Sequence, residues 1–119
     1  MEEKDKLCQL FNSMQLIQSV TYENYYEIID NCFSHRLTII LSPEKNYYYE
    51  KLLKVVFNNV KNANIADMLF FIYSPSIVIN DISKSGWENI HYELIELEGH
   101  FSFKFKDFCY EWISPIEIH

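Results

Sequence analysis

Arginine is almost missing from this chain: Arg36 is the only one in 119 residues, and with nine lysines it faces seventeen acids, for a formal charge of -7. A nucleic-acid binder gains affinity by setting several Lys and Arg against phosphates, so this balance argues against that role. It argues equally against binding to anionic membrane surfaces. Glycine is nearly as scarce, with Gly86 and Gly99 alone, which excludes a glycine-rich phosphate loop. No apolar run approaches the roughly 18 residues of a membrane helix. Cys8, Cys32 and Cys109 are odd in number and widely spaced, and neither they nor His35, His91, His100 and His119 form a Cys-x-x-Cys or His-x-x-x-His spacing. No metal site and no cofactor are expected on that basis. The opening Met-Glu-Glu-Lys-Asp-Lys carries acids where a secretory signal carries bases. The expectation is therefore a cytoplasmic protein with reduced thiols, Cys32 and Cys109 being read as buried structural ones.

What is present in quantity is aromatic. Nine Tyr, nine Phe and two Trp make up 17% of the chain, more than a core of this size needs, so several rings must lie at the surface. Length and a hydrophobic content of 49% fit one globular domain, residues 1–119, with one real core.

The clearest local pattern runs from Ile90 to Trp112. Phe101, Phe103 and Phe105 alternate with Ser102, Lys104 and Lys106, the period of a strand with one buried face. Before Gly99, Ile90 and Tyr92 alternate with polar residues, and then Ile95 and Leu97 do so, with parity slipping near Leu94. A hairpin turning at Glu98-Gly99-His100, with a bulge near Leu94, pairs Leu97 with Phe101, Ile95 with Phe103, Tyr92 with Phe105 and Glu93 with Lys104.

Elsewhere the spacing favours helices. Leu7, Leu10, Phe11, Met14 and Ile17 predict an amphipathic helix over 3–18, and Thr21 is placed to cap a second one reaching about Ser34, with Tyr22, Tyr25, Ile29, Cys32 and Phe33 inward. Arg36 to Ser42 reads as a buried strand. Ser42-Pro43-Glu44 then looks like the start of a helix to about Asn62, burying Tyr49, Leu52, Leu53, Val56, Phe57 and Val60. Met68 to Tyr73 reads as an interior strand, Ile77 to Ile79 as a short further one and Asn80 to Gly86 as loop. The expected architecture is α+β: two N-terminal helices and one crossover helix packed on a mixed, mainly antiparallel sheet of four to six strands, with the C-terminal hairpin.

Two acidic stretches stand out. Glu23, Glu27 and Asp30 would share one face of the second helix, with Tyr26 beside them. From Trp87 to Glu98, Glu88, Glu93, Glu96 and Glu98 mingle with Trp87, His91 and Tyr92, and from Trp87 onward there are seven acids against two lysines. Each stretch reads either as a solvated face or as a docking surface, in which carboxylates meet Lys and Arg while aromatic rings supply anchors. In these stretches and in general build, the chain resembles the immunity proteins of bacterial polymorphic-toxin and contact-dependent inhibition systems, which are small, acidic, aromatic-rich and free of catalytic motifs. That resemblance implies a cognate basic toxin domain as partner, often a nuclease, and no enzymatic activity. A viral or phage-type inhibitor of a host protein, or a regulatory adaptor, fits the same acid and aromatic surface. A small enzyme using His91 or His35 with a carboxylate is the third reading.

Overall fold

Strict alternation, wherever it persists beyond three residues, decides the element type in this chain. The structure, a computed structural model, describes residues 2–29, 31–43, 51–68 and 76–114. Among the described residues there is one helix, α1 (Glu3–Asn12), and there are eight strands: β1 (Leu16–Glu27), β2 (Cys32–Ser42), β3 (Leu52–Asn58), β4 (Lys61–Asn64), β5 (Ile77–Asp81), β6 (Tyr92–Glu96), β7 (Ser102–Phe105) and β8 (Asp107–Ile113). They form two four-stranded sheets, ordered β1-β2-β3-β8 and β4-β7-β6-β5, in which every neighbouring pair is antiparallel. The architecture is thus mostly β, which corrects the expected α+β fold with three helices.

The correction has one physical origin. Residues four apart share a face in a helix, but because four is even they also share a face in a strand. Tyr22 with Tyr26, Glu23 with Glu27, Tyr25 with Ile29, Leu52 with Val56 and Leu53 with Phe57 all carry that ambiguous spacing. The expected helix from Thr21 to Ser34 is instead the end of β1, a turn and the start of β2. The expected crossover helix is replaced by β3, where Leu53, Val55 and Phe57 are buried while Lys54, Val56 and Asn58 are half-buried. Tyr, Thr and Val favour the pleated surface, and pairing with β2 settles the matter. β3 runs antiparallel to β2. Tyr47 to Tyr49 and most of the expected strand Met68 to Tyr73 lie outside the described residues.

Both sheets share one core. Leu37, Ile39, Leu41, Leu53, Val55 and Phe57 of the first sheet are fully buried with Leu94, Phe103 and Phe105 of the second. Phe57 bridges them, its ring meeting Phe103 and Phe105 edge-on at centroid distances of 4.9 and 4.8 Å. α1 is shorter than expected and closes one end with Leu7 and Phe11. Its last residue, Asn12, holds the backbone of Ile77 on both sides, accepting from the amide at 2.7 Å and donating to the carbonyl at 3.0 Å.

The expected hairpin exists as β6 and β7, with Tyr92 opposite Phe105 and Glu93 opposite Lys104. No bulge falls at Leu94, which faces Phe103, while Ile95 faces Ser102. Parity does not slip: the inward row runs unbroken from Ile90 through Tyr92 and Leu94, so Glu96 points inward and Leu97 outward. After Lys106 the chain passes into the other sheet as β8, the strand that pairs with β3.

Candidate functional site

The β1–β2 hairpin is longer than the sheet it belongs to. β2 pairs with β3 only from Leu41 back to Arg36, yet it pairs with β1 as far as Cys32. The His35 carbonyl still accepts from the Val60 amide at 3.0 Å, and beyond it three cross-strand pairs, Tyr25–Ser34, Tyr26–Phe33 and Glu27–Cys32, form a two-stranded arm. At roughly 3.4 Å per residue the arm reaches about 10 Å beyond His35, before its turn is counted. Asn31 sits in the turn with φ of 51°, a left-handed conformation that asparagine tolerates.

The two faces of the arm differ. On one, the row that supplies Leu37, Ile39 and Leu41 to the core continues outward as His35 and Phe33, opposite Asn24 and Tyr26. Tyr22 stacks on His35 at 5.2 Å and Tyr26 meets Phe33 edge-on at 5.3 Å. Partial burial holds the Tyr22 phenol above its ordinary pKa. The core stripe thus leaves the core and becomes surface: Phe33 is 75% exposed, and the turn residues Ile28 and Ile29 are 83% and 90% exposed. The Tyr26 hydroxyl donates to the side chain of Asn31, and the Ile29 amide to Glu27 at 3.3 Å, so the turn that carries these side chains is tied at both ends.

The other face carries Glu23, Tyr25, Glu27, Cys32, Ser34 and Arg36, most of them lining an open cleft of about 520 Å³ at the arm's base. Arg36 lies over the Tyr25 ring at 4.3 Å and pairs with Glu23 at 3.5 Å. Asn59, with φ of 52°, accepts from Ser34 at 2.5 Å, donates to the Asn89 carbonyl at 2.9 Å and gives its amide to the Tyr25 hydroxyl at 3.3 Å. These bonds brace the base of the arm and orient it.

The acids expected to form docking surfaces are divided by the structure. Glu23 and Glu27, four residues apart, share a face of strand β1 and not of a helix, while Tyr26 points to the opposite side. Asp30 lies outside the described residues. In the second stretch, Glu93 pairs with Lys104 at 3.0 Å, and the Lys104 ammonium also lies 5.3 Å from the centroid of the half-exposed Trp87 ring. Glu88 lines the cleft and Glu98 is exposed in the β6–β7 turn. Glu96 is buried, which removes it from any docking surface. Its Oε1 accepts from the amides of Glu98 and His100, both at 3.0 Å, and meets His100 Nδ1 at 2.8 Å. Burial pushes the Glu96 carboxyl up, but these bonds outweigh it and hold it below the usual carboxylate range. Cys32 and Cys109 are exposed and Cys8 half-buried, all as free thiols, contrary to the expectation of buried ones.

Among the described residues no three of His, Cys, Asp and Glu gather as a metal site would require, and no helix is long and apolar enough to cross a membrane. The features missed from sequence are Ile28, Ile29 and Phe33. Their signal was available, since two isoleucines beside Asp30-Asn31 put apolar side chains in a turn. The fold and arm define a two-sheet β domain with a projecting, apolar-tipped hairpin. No family model, curated protein or solved structure matches the chain.

Proposed function

We propose that this chain is a non-catalytic inhibitor of the immunity type, which neutralises a cationic protein domain by seating the tip of the β1–β2 arm in an apolar socket rimmed with Lys and Arg. The observation that carries the reading is the exposure of Ile28, Ile29 and Phe33 together at the end of a braced arm. Aromatic and aliphatic anchors of this kind, held in place before binding, give a small interface most of its affinity. The charge of the arm supports a basic rim: between Thr21 and His35 there are three acids, Glu23, Glu27 and Asp30, and no Lys or Arg. The whole-molecule charge of -7 would steer such a partner inward.

The test is co-expression with basic domains encoded by neighbouring genes, followed by growth rescue and association kinetics of the purified pair. The expected result is rescue, an on-rate that falls with salt, slower association for Glu23→Lys/Glu27→Lys, and faster dissociation for Ile29→Ala/Phe33→Ala. Failure of every such domain to bind, or a complex indifferent to both double variants, would refute the reading. Charge reversal at Glu96 is unsuitable here because it attacks the fold.

A further inference from the structure

Among the described residues little packs on the arm. On one face Phe33 stands 75% exposed, and beside the other lies the open cleft of about 520 Å³. β3 gives no support past its end, because the chain turns away at Asn59, whose φ of 52° is left-handed. The direction of the arm is therefore set by polar ties at its root, and three of them meet on that one asparagine.

Tyr25 and Ser34 stand opposite each other as the first pair of the arm. Asn59 reaches both strands of that pair: its amide donates to the Tyr25 hydroxyl at 3.3 Å, and its Oδ1 accepts from the Ser34 hydroxyl at 2.5 Å. Its Nδ2 then donates to the carbonyl of Asn89 at 2.9 Å. Asn89 leads straight into the second sheet, since Ile90 is buried and the His91 amide donates to the Phe105 carbonyl at 3.0 Å. One residue thus links both strands of the arm to the body of the other sheet. Arg36 adds a further tie, lying 4.3 Å from the Tyr25 ring while its Nε donates to Asn58 at 3.4 Å. Ser34 is buried, so removing the Asn59 oxygen would strand a desolvated hydroxyl.

Small angles matter on a lever. A tilt of about 20° at the root of an arm of roughly 10 Å carries its end about 3–4 Å sideways, whereas a binding site needs its anchors placed within about 0.5 Å. We infer that Asn59 is a positioning residue for the partner site, aiming Ile28, Ile29 and Phe33 by coupling the arm to the second sheet and acting through the arm, not by contact. The inference rests on the function proposed above. Only molecules whose arm points in the docking direction bind, so affinity falls with the fraction that does.

The test is Asn59→Gly in the full chain, which keeps the left-handed backbone and its amide and removes only the side chain. Hydrogen exchange of the chain alone should speed up about fivefold at Tyr25 to Glu27 and Cys32 to Ser34, the worth of one net hydrogen bond, while Leu37 to Leu41 keep the parent rate. Association with the cationic domain should slow about two- to fivefold. Unchanged exchange in the arm would overturn the assignment, since any loss of binding would then come from direct contact. Exchange raised equally at Leu37 to Leu41 would overturn it by making Asn59 a general support of the fold, and so would a loosened arm with an undiminished association rate. A loosened arm in a chain that binds no basic domain supports the brace and refutes the proposed function.

Discussion

Glu96 shows how one residue sets a turn. Carried inward by strand parity, it offsets part of the cost of burial by accepting two backbone amides and the His100 ring on Oε1, while among the described residues its Oε2 is buried without a partner. Replacement by Gln, which keeps the shape but loses the charge, should cost about 1–3 kcal/mol in urea unfolding at pH 7. The folded carboxyl titrates below its ordinary 4.5, so its contribution is complete above that value and is lost as pH falls through the lowered one. The deficit of Glu96→Gln relative to the parent should accordingly shrink toward pH 3, and a constant deficit would assign the loss to packing. Three residues on, Gly99 turns with φ of +84° and has open space where a Cβ would stand. Gly99→Ala should therefore lose about 1 kcal/mol from backbone strain alone, readable as a lowered thermal midpoint.

At the scale of the element, the arm is a ribbon of two strands beyond the support of β3. Such ribbons are marginal unless something packs on them, so its amides should exchange with solvent faster than those of the same strands inside the sheet. Hydrogen exchange should separate Tyr25 to Glu27 and Cys32 to Ser34 from Leu37 to Leu41 in that order. Substitution tells the same story from the energetic side. Ile29→Asp should leave stability within about 0.5 kcal/mol, since the side chain is solvated already, whereas Leu37→Ala at the buried end of the same hairpin should cost about 2–5 kcal/mol. A large loss from Ile29→Asp would mean that the tip packs against this chain and is not free to dock.

For the whole molecule, the governing facts are charge and connectivity. A surplus of seven negative charges should make association with a cationic partner fall by about tenfold or more from low to high ionic strength, with dissociation little changed. The sheets are built from distant segments: Leu52 pairs with Ile113, and Asn12 binds Ile77. Loop-closure entropy precedes any gain from such pairs, so refolding followed by tryptophan fluorescence should take milliseconds to seconds, not microseconds.

Some of this was written in local patterns. Alternation around Phe101, Phe103 and Phe105 identified β7 and its partner, and Leu7, Leu10, Phe11 and Met14, whose spacings of three and seven no strand face shares, identified α1; the β-branched composition of Leu37 to Leu41 identified β2. Residues spaced by four, at Tyr22 to Phe33 and Leu52 to Phe57, fit both periods, and there the choice fell to backbone pairing between segments that lie far apart in the chain. The acids at the surface were countable from the start, but not which of them strand parity would turn inward. Where the core stripe of a hairpin outruns the sheet beneath it, as at Phe33, is a matter of strand lengths meeting in space, which only the assembled sheets determine.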